Sequence, residues 1–206
     1  MLWLRFKRSK LAVGALIWVA FIALVAICAP LVSPYPPNDV ELSLRLDPPD
    51  RAHVFGMDEI GRDVLARMIH GSRVSLTVAL LATLIALIVG ATLGAVAGYY
   101  GGVADWLVSR LIEVVLCFPF LFLVLGIVAL FNPSLNTIII ALGLTSWTSE
   151  ARYVRGEFLR IRDLDYAHAA RAIGARDPRI IFRHLLPNAL APVLVSASFG
   201  VANAIL

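Results

Sequence analysis

The side chains able to do chemistry gather in two stretches. Residues 33–73 hold Asp39, Glu41, Asp47, Asp50, Asp58, Glu59 and Asp63, with Arg45, Arg51, Arg62, Arg67 and Arg73. Residues 150–187 hold Arg152, Arg155, Arg160, Arg162, Arg171, Arg176, Arg179 and Arg183, with Glu150, Glu157, Asp163, Asp165 and Asp177. Such mixtures serve recognition and topology. They lack the nucleophile, base and orienting group that hydrolysis requires, and no dinucleotide pattern supports redox chemistry. His53, His70, His168 and His184 stand at no metal-ligand spacing. Cys28 and Cys117 lie inside apolar runs, where small buried hydrophobes are the plain reading, so no metal site is expected. No Gly-Lys phosphate loop is present, so ATP is not expected to bind this chain.

The elements that carry these stretches are apolar. Hydrophobic residues make up 60% of the sequence and charged residues 16%, and the mean hydropathy is +0.84. Soluble domains have about 45–50% apolar and about 25% charged residues. The excess falls in long runs with the charges between them, which predicts a polytopic helical membrane protein. The alternation of a membrane β-barrel is missing. The formal charge of +4 comes from basic residues beside apolar runs, a topology signal with no nucleic-acid partner implied.

Arg5, Lys7, Arg8 and Lys10 precede a run from Leu11 to about Val32. Signal-peptide cores are about 7–15 residues long, and Ile27-Cys28-Ala29-Pro30 is a poor cleavage site, so this run reads as a retained anchor. Further runs cover about Val74–Ala97, Trp106–Phe131 with a kink at Pro119, Leu135–Thr148, and Ala189–Leu206. Asn132-Pro133-Ser134 is a turn. The fourth run is short, but an Arg-rich 150–187 segment and a basic N-terminus both prefer the cytoplasm. Two points on one side need an even number of crossings, so the fourth run is expected to span, continuing through Ala151. The run centres hold no ionisable residue. Such groups persist in mid-membrane mainly where function needs them, so the energy for transport is expected to enter from outside the bilayer. Gly90, Gly94 and Gly98 place small residues four apart, a face for close helix packing.

In the stretch 163–187, Asp165 reads as an N-cap for a helix from Tyr166, and Gly174 as the glycine that ends it. Asp177-Pro178 reads as N-cap and first residue of a second short helix. Pro187 opens the entry to the fifth run. Ala167, Ala169, Ala170 and Ala172 make the first helix slim enough for another protein to pack closely.

With these residues the sequence resembles the permeases of ATP-binding-cassette importers. Their cytoplasmic motif has Glu-Ala-Ala, a Gly four residues on and a later Leu-Pro. Ala169, Ala170, Gly174, Leu186 and Pro187 match it, and Arg171 to Ala175 with Arg183 to Asn188 resembles the dipeptide, oligopeptide and nickel branch. The stretch His53 to Arg67 and Gly71 to Leu76, with Gly56, Asp58, Gly61, Arg62 and Asp63, is similar to an external motif of that branch. Gly98 to Gly102 is a third match, and the basic start, anchor and Pro-rich loop are similar to its C-type subunit. His168 replaces the usual Glu, which should weaken an ATPase contact and removes a Glu at the third position of the helix. Met57 replaces a Thr.

The resemblance implies an all-α, polytopic transmembrane bundle with a cytoplasmic coupling helix-turn-helix. It divides into the N-terminus and anchor (1–32), an external Pro-rich loop (33–73) and a permease core (74–206). The end at Leu206 within apolar sequence reads as a fragment or truncated gene product, with the family's final helix absent. The implied partners are a sibling permease, two cytoplasmic ATPases that carry ATP and Mg, an external substrate-binding protein and the lipid bilayer of a bacterial or archaeal inner membrane. Docking would involve Tyr166, His168, Ala169, Ala170, Arg171, Gly174, Ala175 and Pro187. Dipeptides, longer peptides and nickel complexes all remain open as cargo. A truncated, non-transporting adaptor that docks an ATPase is the alternative, and an intramembrane enzyme would need clusters that the scattered Ser and Thr do not form. With Cys28 and Cys117 replaced, Arg160→Cys should react with an impermeant maleimide only from the cytoplasm, and Asp47→Cys only from outside. External labelling at both ends of 150–187 would overturn this arrangement.

Overall fold

The structure, a computed structural model, describes residues 9–205. Among these the backbone forms helices, turns and one isolated bridge between Met57 and Asp63. The chain divides into two compact units, Met1–Thr77 and Val78–Leu206.

In the first unit, helix α1 covers Lys10–Ile27, capped by Ser9, whose Oγ accepts from the Ala12 amide at 3.3 Å. Leu16, Ile17, Trp18, Val19, Phe21 and Leu24 are all exposed. A helix apolar on every side suits lipid. A short α2, Ala29–Val32, follows with Pro30 in its first turn. The polar loop then ends ten residues sooner than its charges suggest, because α3 starts at Val64 and runs to Tyr100. Asp63 sets this start: its Oδ1 accepts from the Ala66 amide at 2.6 Å, the bond of an N-cap. Thirty-seven residues make a rod of about 55 Å, well beyond a hydrocarbon core of about 30 Å.

The second unit holds the rest of α3 and everything after it. Helix α4 covers Gly102–Leu116 and α5 covers Phe120–Leu130. They meet at 85°, with Pro119 as the residue before α5. The kink expected within one run is thus a break, since proline offers no amide hydrogen and its ring collides with the preceding turn. Helix α6, Leu135–Ile161, is capped by Ser134, whose Oγ accepts from the Thr137 amide at 3.1 Å. It passes straight through the charges that seemed to end the fourth run. Ala151, Val154, Phe158 and Ile161 are buried and continue one stripe along it. Helices α7 (Asp165–Ala172) and α8 (Asp177–Arg179) come next. A π-helical turn, Ile180–Leu185, leads into α9, Leu186–Ile205.

Among the described residues, α1 and α3 are each long and apolar enough to cross a membrane, and α4 with α5 is so only as a bent pair. The central contact is between α3 and α6. A Cβ added at Gly90 would lie 2.8 Å from the Trp147 carbonyl oxygen, at Gly94 2.5 Å from that of Ala151, and at Gly98 2.8 Å from that of Arg155. Gly143 does the same from the other side, against Ile85. Residue numbers rise together on both helices, so they run parallel. The chain must therefore travel back along them through α4 and α5. The expected continuation of the fourth run through Ala151 is found, and Glu150, in the middle of α6, is only 5% exposed. Gly94→Leu should force the helices apart at a cost of about 1–3 kcal/mol, lowering the melting temperature in detergent. Gly126→Ala, with no atom within 4 Å of the new Cβ, should leave it unchanged.

Candidate functional site

The segment after α6 is a small platform tied to the end of α3. Ala167 and Ala170 of α7 are buried in a cluster with Tyr99, Val154, Phe158, Ile161, Ile180, Ile181 and Leu185. The remaining α7 surface looks outward: Asp165, Tyr166, His168, Ala169 and Ala172 are exposed, and Ile173 beyond them is 84% exposed. So Ala170, grouped from the sequence with the docking residues, supports the platform from within, as helical spacing from Ala167 requires. Ala169 and Ala172 keep the slim outer face. Arg171 and Ala175 are half-buried at its edge.

Capping is displaced by one residue from the expected pattern. Leu164 is the N-cap and offers no side-chain bond; Asp165 is the first helical residue, so His168 is fourth and a capping Glu there would not reach back. Arg176 is likewise the N-cap of α8, with Asp177 and Pro178 following. At the other end of α7, the Ala175 amide donates to the Ala170 carbonyl at 3.1 Å and the Gly174 amide to that of Arg171 at 2.9 Å. Gly174 has φ +78°. This paired pattern is the Schellman ending, which needs a left-handed residue at that position. Pro187 sits in the first turn of α9, directly after the π-helical turn. A proline ring disfavours a regular turn before it, and a widened one relieves that.

Five residues outside the expected set fasten the platform and the helices it stands on. The Tyr99 hydroxyl donates to Asp177 Oδ1 at 2.7 Å, and the Arg171 guanidinium lies over the Tyr99 ring at 5.5 Å. Arg162 Nη1 donates to the Gly98 carbonyl at 3.0 Å, filling an acceptor that the end of α3 leaves open. Arg155 pairs with Asp105 through both carboxylate oxygens. Tyr99 and Asp177 stand 78 residues apart, a separation over which spacing carries no signal.

The external-type motif forms a knot of its own in the first unit. Gly56 and Gly61 have φ +69° and +73°, and a Cβ on either would strike the Asp47 or Glu41 carbonyl oxygen. Asp58 accepts from the Ile60 and Arg62 amides at 3.0 Å, from Arg62 Nε at 2.8 Å and from Arg67 at 2.5 Å. Desolvation pushes its carboxyl upward, but these donors together outweigh that and hold it well below the usual carboxylate range. Asp63, 4% exposed, caps α3 with one oxygen and meets His53 Nδ1 at 2.9 Å with the other.

Comparison with known proteins decides the family. The profile of the binding-protein-dependent transport system inner membrane component family matches residues 90–206. The chain belongs to this family. The N-terminal transmembrane domain of oligopeptide transport permease C matches residues 1–49. A dipeptide transport system permease protein of Alkalihalophilus pseudofirmus is 41% identical over 97% of this chain and 66% of its own length. One of Bacillus subtilis is 40% identical over 98% of this chain and 63% of its own. The oligopeptide transport system permease protein of Escherichia coli is 41% identical over 98% and 68%. The chain thus spans about two thirds of the length of these relatives. The expected all-α membrane bundle is the architecture found. The matched permease region contains both the α3–α6 contact and the platform. The Asp58 knot lies in the stretch between the two family matches. Asp58→Asn should loosen that knot equally at every pH from 5 to 8. The depressed carboxyl is ionised throughout, and its contribution fades only as pH falls below about 4, the unfolded value. Limited proteolysis of the 33–63 loop across this range checks it.

Proposed function

We propose that this chain is the permease subunit of an ATP-driven importer of dipeptides or oligopeptides. In this reading it pairs with a sibling permease around a translocation path and receives cargo from an external binding protein. Its N-terminus and the platform face the cytoplasm of a bacterial cell, and residues 33–63 face outside. ATP and Mg bind cytoplasmic ATPases, and this chain hydrolyses nothing itself.

The observation that carries this reading is the two-sided form of α7. One face is locked into the core through Ala167 and Ala170, while Tyr166, His168, Ala169 and Ala172 present an outward edge ending at Ile173. Ala169, Ala172 and Ile173 lie exposed together on a rigid mount, and the small side chains let a partner pack closely there. Because the platform is fastened to α3 by Tyr99 and Arg162, a push on α7 reaches the bundle directly. Docking would thereby bias a two-state equilibrium, given different contacts in the two states. The names of the relatives, dipeptide and oligopeptide transport permeases, supply the cargo class.

Gly174→Val in the complete transporter tests it. No atom lies within 4 Å of a Cβ at Gly174, so the change acts only through the left-handed backbone, at about 1–2 kcal/mol. ATPase co-purification and dipeptide uptake should fall about 5- to 30-fold at unchanged membrane abundance. Gly174→Asn, which tolerates this conformation, should recover most of both. Undiminished uptake and co-purification in Gly174→Val would refute the docking role.

A further inference from the structure

The stretch Gly98 to Gly102 forms the corner between α3 and α4, a role that the sequence alone left open. Gly101 and Gly102 follow one another with φ +65° and +51°. Consecutive left-handed residues are freely available only to glycine, and such a pair makes a soft joint. Gly101 is also the N-cap of α4 and makes no side-chain cap bond. The backbone at this corner therefore does little to fix the direction in which α4 leaves.

Side chains from α6 fix it instead. Arg162, the C-cap of α6, donates from Nη1 to the Gly98 carbonyl at 3.0 Å, and a Cβ on Gly101 would come to 3.1 Å from the same atom. Two turns earlier, Arg155 donates from Nε and Nη2 to the two carboxylate oxygens of Asp105, the second at 2.7 Å. Asp105 lies in the first turn of α4, where an acid ordinarily serves the positive end of its own helix. Here both oxygens are turned to Arg155, and among the described residues neither accepts from an amide of α4. Among the same residues no other side-chain hydrogen bond joins α4 to another helix. A forked arginine–carboxylate pair fixes distance and angle together, which a point charge does not. Val108 and Ile112 of α4 are buried in one cluster with Trp147 and Ala151 of α6, but apolar contact has no direction and permits sliding and turning.

We propose that Asp105 and Arg155 are a positioning pair that makes the α4–α5 arm follow the platform. This rests on the reading of the chain as an importer permease whose α7 receives the ATPase, and it extends that reading from the docking face to the arm. The glycine contact locks α3 to α6, and Tyr99 and Arg162 lock the platform to α3. Across the soft joint, the fork converts a displacement of that rigid body into a displacement of α4. Without the fork α7 still docks and ATP is still hydrolysed, but the arm lags behind.

The test uses the complete transporter in proteoliposomes, with its sibling permease, ATPases and external binding protein. ATP hydrolysis and dialanine uptake are read in the same sample. Asp105→Asn should leave membrane abundance and ATPase co-purification unchanged and lower the uptake per ATP hydrolysed about tenfold, the worth of one charge-assisted hydrogen bond. Arg155→Lys keeps the charge without the fork and should show the same uncoupling. An unchanged ratio in Asp105→Asn overturns the proposal. So does an Arg155→Lys that transports normally, since charge alone would then suffice. Loss of abundance or co-purification in step with uptake also overturns it, because the pair would then be a folding contact only. If the parent imports dialanine in those cases, the permease reading stands and only the positioning role fails. A parent that imports no peptide removes that reading and this proposal together.

Discussion

Two helices that touch through their backbones cannot slide freely, and the α3–α6 contact imposes that restriction on this chain. Gly90, Gly94 and Gly98 bring α3 within van der Waals reach of carbonyls and Cβ atoms on α6. Dispersion falls off steeply with distance, so contact at this range is strong and tolerates little change in shape. The parallel sense of the pair follows from the same register. It obliges α4 and α5 to run back alongside them, and it sets Tyr99 beside the chain that leaves α6. The break at Pro119 lets the returning segment change direction by 85°. Platform and returning arm are both arranged around one contact.

That contact also explains why the platform sits where it does. The last turn of α3 leaves carbonyls without internal partners, and Arg162 reaches back to one of them. Tyr99 then reaches forward to Asp177. The two bonds run in opposite directions along the chain and clamp the connection from both ends. Ala167 and Ala170 add apolar contact beneath. Stiffness here comes from a few directional bonds over a small core, so α7 moves as one piece with the C-terminal end of α3.

The apolar runs were legible because lipid demands long stretches without charge, and this signal survives any detail of packing. Gly174 was legible because a left-handed residue at a helix end has few alternatives to glycine. The helix ends were less so. Asp63, Arg67 and Arg73 read as loop residues by charge, yet the first is the cap of α3 and the others lie within it. Glu150 and Arg152 masked the stripe Ala151, Val154, Phe158, Ile161, which was present in the sequence but lay past the apparent end of the run. Nothing local to Glu150 says that Ser196 will stand opposite it. Bonds such as Tyr99 to Asp177 join distant parts of the chain, and a pattern confined to neighbours cannot contain them.

The separation of the glycine face from its partner along the chain has a consequence for how the protein is made. About 60 residues lie between Gly94 and the Val154 that packs on it, and ribosomes add about 5–20 residues per second. For roughly 3–12 s α3 exists in or near the bilayer without the helix that fits it. A bare glycine face offers little contact to lipid chains, and during that interval it is open to any other small-residue face that drifts past. Order of emergence therefore matters here: the glycine face meets the helix that fits it only when α6 arrives, after α4 and α5. A cell that slowed translation between residues 100 and 150 would lengthen the one period in which this chain can pair with the wrong neighbour.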